Sequence, residues 1–242
     1  MKLSNFSLFI CALLFSFNTQ AQKITNLSRS TSTKTFEFDN YDAIDVSDDF
    51  KLTVSFSSKN SPITVEANDN IIQYVDVYKE GSTLYFRLKK RLGYTSWRGN
   101  LILRASLTTT NIDAFYVSSD ATVELTNTLS NSNLSLNIKG DGVFNGKLNV
   151  DNFELNAKSD AQVNILGKVA TMKAYLSSDA QLKARDLVVN DLEIELKSDS
   201  QARIQVRNTI DAYATSDASL RYLGNPKVLR SKATGDAHIR SM

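Results

Sequence analysis

Apolar and polar residues alternate from Phe36 to about Arg104: Ile44/Val46, Phe50/Leu52/Val54, Ile63/Val65, Tyr74 to Tyr78, Leu84/Phe86/Leu88 and Leu101/Leu103. A period of two puts these side chains on one face of an extended chain, and no window carries a helical stripe, so the region predicts β-strands. Lys79-Glu80-Gly81-Ser82 reads as a hairpin turn. Further on, the alternation is organised by a recurring tripeptide: Ser119-Asp120-Ala121, Gly140-Asp141-Gly142, Ser159-Asp160-Ala161, Ser178-Asp179-Ala180, Ser198-Asp199-Ser200, Ser216-Asp217-Ala218 and Gly235-Asp236-Ala237. Successive aspartates stand 21, 19, 19, 20, 18 and 19 residues apart. Seven copies at a nearly fixed period predict a solenoid with one coil per repeat.

Parity predicts how a coil is built. Around the third copy Phe153, Leu155, Ala157, Ser159, Ala161, Val163 and Ile165 share one parity, and Glu154, Asn156, Lys158, Asp160, Gln162 and Asn164 the other. Each copy is therefore expected to be two short strands meeting at a bend, its two small residues inward and its Asp outward. A Leu at the inside of the corner would clash with the next coil. Neighbouring coils are expected to pair as parallel strands about 4.8 Å apart. The predicted fold is all-β: a parallel β-helix of about seven short coils (residues 111–242) with an N-terminal β-rich cap (35–110) against edge pairing.

Composition narrows the setting. Lys2, the apolar run Leu8 to Phe17 and Thr19-Gln20-Ala21 read as a signal peptide over residues 1–21, too short to be a secure membrane anchor. Cys11 falls inside that run, so the exported chain is expected to carry no cysteine, and disulfides and thiolate chemistry drop out. Lys2 is the segment's only charged side chain, so 27 of the 28 basic and all 26 acidic side chains remain, a balance that does not call for nucleic acid. Residues 22–34, polar and rich in Ser and Thr, read as a flexible leader. The expected location is the periplasm or the outer cell surface.

The opening FDNYDAIDVSDDFKLTV, the small-residue corners and the ending SDASLRYLGNPKVLRSKATGDA resemble the bacterial family called putative auto-transporter adhesin, head GIN domain. The resemblance runs from Phe36 to the C-terminus, and its most specific part is Tyr222, Gly224 and Pro226 followed by Gly235. It implies an exported β-helical envelope or surface protein of Bacteroidetes-like bacteria, a family with no established enzymatic activity. Most corners here are Ser-Asp-Ala where the family often has a Gly-Ser-Gly type, which adds one charge per coil. No C-terminal membrane barrel is visible, so the chain is not expected to act alone as an autotransporter.

Three sets of residues are candidates for a site. The outward aspartates Asp120, Asp141, Asp160, Asp179, Asp199, Asp217 and Asp236 are expected to form a column, and like charges about 4.8 Å apart repel by roughly 1 kcal/mol even in water. Such a column reads as corner chemistry, with carboxylates accepting local backbone N–H groups and Lys139, Lys158 and Lys197 screening the charge. Its alternative is a row of weak Ca²⁺ sites, although no Gly-rich nonapeptide or Asp-x-Asp-x-Asp-Gly loop accompanies it. Gln162, Gln181 and Gln201 recur two residues after the Asp and predict an amide ladder. In the segment from Lys89 to Gly99, Tyr94, Trp97 and Arg98 interleave aromatic and basic groups suited to a glycan; the plain reading is a hairpin whose Trp97 packs back on the cap.

Enzyme signatures are missing: there is no HExxH, G-x-S-x-G, Walker or GxGxxG sequence, and His238 is the only histidine. Repeats of 18 to 21 residues leave no room for the long loops in which β-helical lyases place their chemistry. The chain therefore reads as a non-catalytic adhesive, binding or spacer protein whose partner is a glycan or a surface protein, its oligomeric state open. The alternative is a carbohydrate-active enzyme using two exposed carboxylates on a β-helix.

Overall fold

A computed structural model describes residues 26–89 and 97–242, and within them the chain turns at every predicted corner. The predicted signal segment and Tyr94 lie outside the described residues. Strands β9 (Thr122–Ile138), β10 (Val143–Lys158), β11 (Gln162–Ser177), β12 (Gln181–Leu196) and β13 (Gln201–Thr215) each run from one corner to the next, pairing in parallel with their neighbours in a solenoid of about seven turns. Unequal repeat lengths are absorbed by register shifts between Asn145 and Lys147, Asn164 and Gly167, Ala184 and Val188, and Val189 and Asp191. The corners themselves stay in register. The alternating inward residues of all coils merge into one apolar core.

The corner differs from its prediction in one respect. Only its third residue points inward: Ala121, Ala161, Ala180, Ser200 and Ala218 are fully buried, while Ser119, Ser159, Ser178, Ser198 and Ser216 are exposed. Each of those first serines has φ between +58° and +62°, and Gly140 and Gly235 have φ of +70°. A left-handed residue reverses the pleat, so strict alternation cannot pass through it. In several copies the turn closes with a backbone bond across it, as from the Ala121 N–H to the Ser118 carbonyl (3.4 Å). Positive φ at the first central residue alone is the type II′ pattern, which prefers glycine. Small size matters there because coils stack backbone on backbone: a Cβ at Gly140 would lie 3.2 to 3.3 Å from the Ser119 main chain.

The same geometry identifies an eighth corner, Asp48-Asp49-Phe50, with Asp48 at φ +61°. It joins β2 (Ala43–Val46) to β3 (Lys51–Phe56). On one side these strands pair in parallel with β8 (Ala114–Val117) and β9, and on the other with β6 (Thr83–Leu88) and β7 (Leu103–Thr109). Much of the predicted cap thus belongs to the parallel stack. The capping is done by antiparallel strands: β4 (Ile63–Asn68) on β7, β1 (Thr31–Phe36) on β4, and β5 (Val75–Glu80) on β6 through the predicted hairpin turn.

Strand β1 corrects the leader, because residues 31–34 are strand rather than free chain. Hydrophobic pattern could not disclose this, since β1 is held through its backbone at a polar edge. The chain before it is tied down by side-chain amides: the Asn68 amide donates to the Ser28 carbonyl (2.8 Å), the Ser28 N–H to Asn70 Oδ1 (3.0 Å), and the Asn70 amide to the Asn26 carbonyl (2.8 Å).

At the other end, β14 (Ser219–Leu223) and β15 (Lys227–Thr234) pair with β13, and β16 (His238–Ser241) pairs with β14. The Tyr222-x-Gly224-x-Pro226 motif makes this last coil fit. Gly224 has φ +106°, and a Cβ there would lie 2.1 Å from the Val206 carbonyl oxygen.

Candidate functional site

The in-register stack converts a fixed offset in sequence into a row on the surface. Four residues before each corner aspartate stand Asp45, Tyr116, Asn137, Asn156, Tyr175, Glu195, Tyr213 and Lys232, and each is paired with the next across adjacent strands. Tyr85 lies beside Asp45 on its other side. Row neighbours are about 4.8 Å apart, which puts Tyr175 and Tyr213 roughly 10 Å apart and Tyr116 and Tyr175 roughly 14 Å apart. Two positions later in each coil a second row contains Lys139, Lys158 and Lys197. The result is a flat face of tyrosine rings bordered by cations.

At its N-terminal end this face is hollowed into an open groove of about 490 Å³, lined in part by Asp45, Arg87, Tyr116, Asn137, Lys139, Asn156 and Lys158. Arg87 pairs with Asp45 at 3.2 Å and lies over the Tyr85 ring, 4.7 Å from its centroid; Tyr85 in turn stacks on Tyr78 at 4.8 Å. Two buried polar atoms among the described residues lack a hydrogen-bond partner, Arg87 Nε and Asn156 Oδ1, and both residues line this groove. Tyr116 on its wall is 42% exposed. A shallower hollow of about 200 Å³ continues along the stack from Asn156 past Tyr175 to Glu195 and Arg230.

The cations of this face are placed by the rings as much as by carboxylates. Lys158 and Lys197 stand over the Tyr175 ring at 5.6 and 5.2 Å, and Arg230 and Lys232 over Tyr213 at 5.9 and 5.8 Å. The Glu195 carboxylate accepts from Lys197 at 2.8 Å and raises its pKa, and Arg230 pairs with Asp211 at 2.6 Å. A broader groove of about 650 Å³ lies on the strands that follow the corner, where Leu125, Ile165 and the exposed Leu166 lie among Lys147, Lys183 and Arg203.

The predicted site residues are placed differently. Trp97 is half-buried and packs against the core, as in the plain reading of its loop. Arg98 has an exposed side chain, and its carbonyl accepts the Leu27 N–H at 2.9 Å, so the described end of the loop secures the N-terminal segment. The corner aspartates form the predicted column, lengthened by Asp49. Among the described residues no hydrogen bond or ion pair to the carboxylates of Asp120, Asp141, Asp160, Asp179, Asp199, Asp217 or Asp236 is seen, and the turns at Asp120, Asp199 and Asp217 are closed by backbone bonds instead. Asp49 registers the crowding: burial first, then the charges of Asp120 and Asp48, push its pKa up. Lys158 and Lys197 attend to Tyr175 rather than to the aspartates. No group of three or more His, Cys, Asp or Glu side chains among the described residues is placed to hold a metal ion.

Gln162, Gln181 and Gln201 are in register, but the amide-to-amide bonds run elsewhere, from Asn164 to Asn145 (2.8 Å) and from Asn152 to Asn133 (3.1 Å). Gln162 accepts from Lys183 instead (3.3 Å). The tyrosine row is not among the features the repeats share, so the corner pattern does not point to it. Counting back four residues from each corner Asp discloses it in the sequence alone.

Comparison with known proteins agrees with this architecture. Residues 40–226 match the family model described as putative auto-transporter adhesin, head GIN domain. A putative adhesin from Bacteroides fragilis superposes with a TM-score of 0.81 at 18% identity, over 90% of this chain and 99% of its own. One from Parabacteroides merdae gives 0.71 at 15% identity, over 90% and 98%. A structure from Parabacteroides distasonis described as a putative lipid binding protein gives 0.73 at 15% identity, over 91% and 100%. At these identities the likeness is one of fold. No curated protein matches the sequence.

Proposed function

Since the chain belongs to the putative auto-transporter adhesin, head GIN domain family, we propose that it is an exported, non-catalytic binding protein of the cell envelope or surface. Its binding face is the tyrosine and lysine face that precedes the corners. One observation carries this reading: where the corner repeats the same chemistry coil after coil, the row four residues earlier changes at almost every step, from Tyr to Asn to Glu to Lys, on a backbone that holds each side chain in register. Packing demands uniformity, whereas recognition demands particular groups at particular places. The solenoid's part is preorganisation. Rows fixed by continuous strand pairing present their rings with little ordering cost on contact.

The test is a binding panel of glycans and matrix proteins with the purified protein and two variants. Tyr116→Ala/Tyr175→Ala is expected to lose binding, and Lys183→Ala on the opposite side of the corner to keep it, all three melting within a few degrees of one another. Equal binding by all three proteins would place the adhesive face elsewhere.

A further inference from the structure

We propose that the groove at the N-terminal end of this face takes a short segment of an acidic saccharide, one carrying carboxylate or sulfate groups; the proposal rests on the binding-face reading above. Two orphaned atoms belong to residues on the groove's wall. Arg87 Nε is a donor and Asn156 Oδ1 an acceptor, both are buried, and neither has a partner among the described residues. A buried polar group without a partner is costly, and an occupant toward which either side chain turns supplies the missing bond. Sugar hydroxyls meet both needs, because each can donate and accept. Tyr116 adds an exposed ring on the wall, against which the apolar face of a pyranose can lie.

Charge selects within the saccharides. The groove is lined by three cations, Arg87, Lys139 and Lys158, and by one acid, Asp45, which Arg87 already engages. Neither lysine forms an ion pair among the described residues, and Lys158 rests over the Tyr175 ring, so both charges stay available to an anion in the groove. Farther along the stack charges are matched: Glu193 pairs with Lys173, Glu195 with Lys197 and Arg230 with Asp211 around the adjoining hollow. An anionic chain is therefore favoured at the N-terminal end of the face more than beyond it, which centres the bound segment on the few coils between Asp45 and Asn156.

The experiment measures binding of the whole protein to oligogalacturonate, alginate, hyaluronan and heparin fragments, to the methyl ester of oligogalacturonate, and to polyglutamate. Binding of at least one acidic fragment is expected. Lys139→Ala/Lys158→Ala should weaken it by roughly tenfold or more, Tyr116→Ala comparably, and added salt progressively. A carboxylate preference is read from the galacturonate, alginate and hyaluronan arms, a sulfate preference from heparin. Where galacturonate binds, its ester should not. Failure of all four acidic fragments would overturn the proposal, as would an ester bound equally well or polyglutamate bound as tightly as the saccharides. Those results leave the binding-face reading standing if Tyr116→Ala/Tyr175→Ala still abolishes binding in the wider panel. Acidic saccharides bound undiminished by every variant would sink both.

Discussion

Two rows run the length of this solenoid a few residues apart, the corner row and the tyrosine row, and they obey opposite rules. In the corner row one residue is left-handed, one is a solvent-facing acid and one is buried, and seven of the eight copies fill the buried place with Gly, Ala or Ser. In the tyrosine row the backbone is equally regular but the side chains vary. Repetition therefore marks where the fold constrains the residue, and variation on a regular backbone marks where it does not. The eighth corner shows where the constraint ends. Phe50 is fully buried at the position held elsewhere by alanine, and it meets Phe86 edge to face at 6.0 Å. The layer stacked on it there, formed by β6 and β7, supplies Phe86 as the ring's partner.

This contrast can be broken first at the buried corner position. Phe50→Ala should empty space and cost about 3–5 kcal/mol, whereas Ala161→Leu should overfill it and cost about 1–3 kcal/mol, both read by urea or thermal unfolding. Tolerance of leucine at 161 would show that interior corners are not size-limited. A smaller effect of the opposite sign is expected at the left-handed position: Ser178→Gly relieves strain at φ +61° and should stabilise by about 0.5 kcal/mol after the added chain entropy of glycine is deducted. Loss of stability there would mean that the serine does more than tolerate the turn.

The smallest effect concerns the acidic column, and pH tests it. Asp49 has its pKa raised in the folded state by burial and by Asp120 and Asp48. An acid whose folded pKa lies above its unfolded value destabilises the fold progressively as pH rises from the unfolded pKa through the folded one, because the unfolded chain releases its proton first. Asp49→Asn should therefore melt higher than the parent at neutral pH. That advantage should vanish below the ordinary value of 3.8. A difference independent of pH would rule out charge as its cause.

Much of the fold was legible beforehand because period and parity are direct consequences of stacking. A coil of near-constant length must return to the same place, so its small residues recur, and seven of the eight corners were visible as a tripeptide. Asp48-Asp49-Phe50 escaped because it shares with the others only the backbone angle and the central acid. Strand β1 escaped because polar edge strands are held by main-chain bonds, which leave no hydrophobic trace. The candidate site was less legible still. Trp97 and Arg98 form an aromatic and basic cluster in sequence, yet one packs on the core and the other anchors the N-terminal segment through its backbone.

The sequence by itself determined that this chain is a parallel β-solenoid with an outward acid at each corner, since both follow from repeat length and side-chain size. Tertiary structure alone decided that the serines lie outside the core, because φ is set by the turn and not by parity. It also decided that residues some twenty positions apart, unremarkable one by one, become neighbours about 4.8 Å apart in a single row. A surface built across coils has no local signature: its members are found only by counting from the corners, and the register makes that count a row.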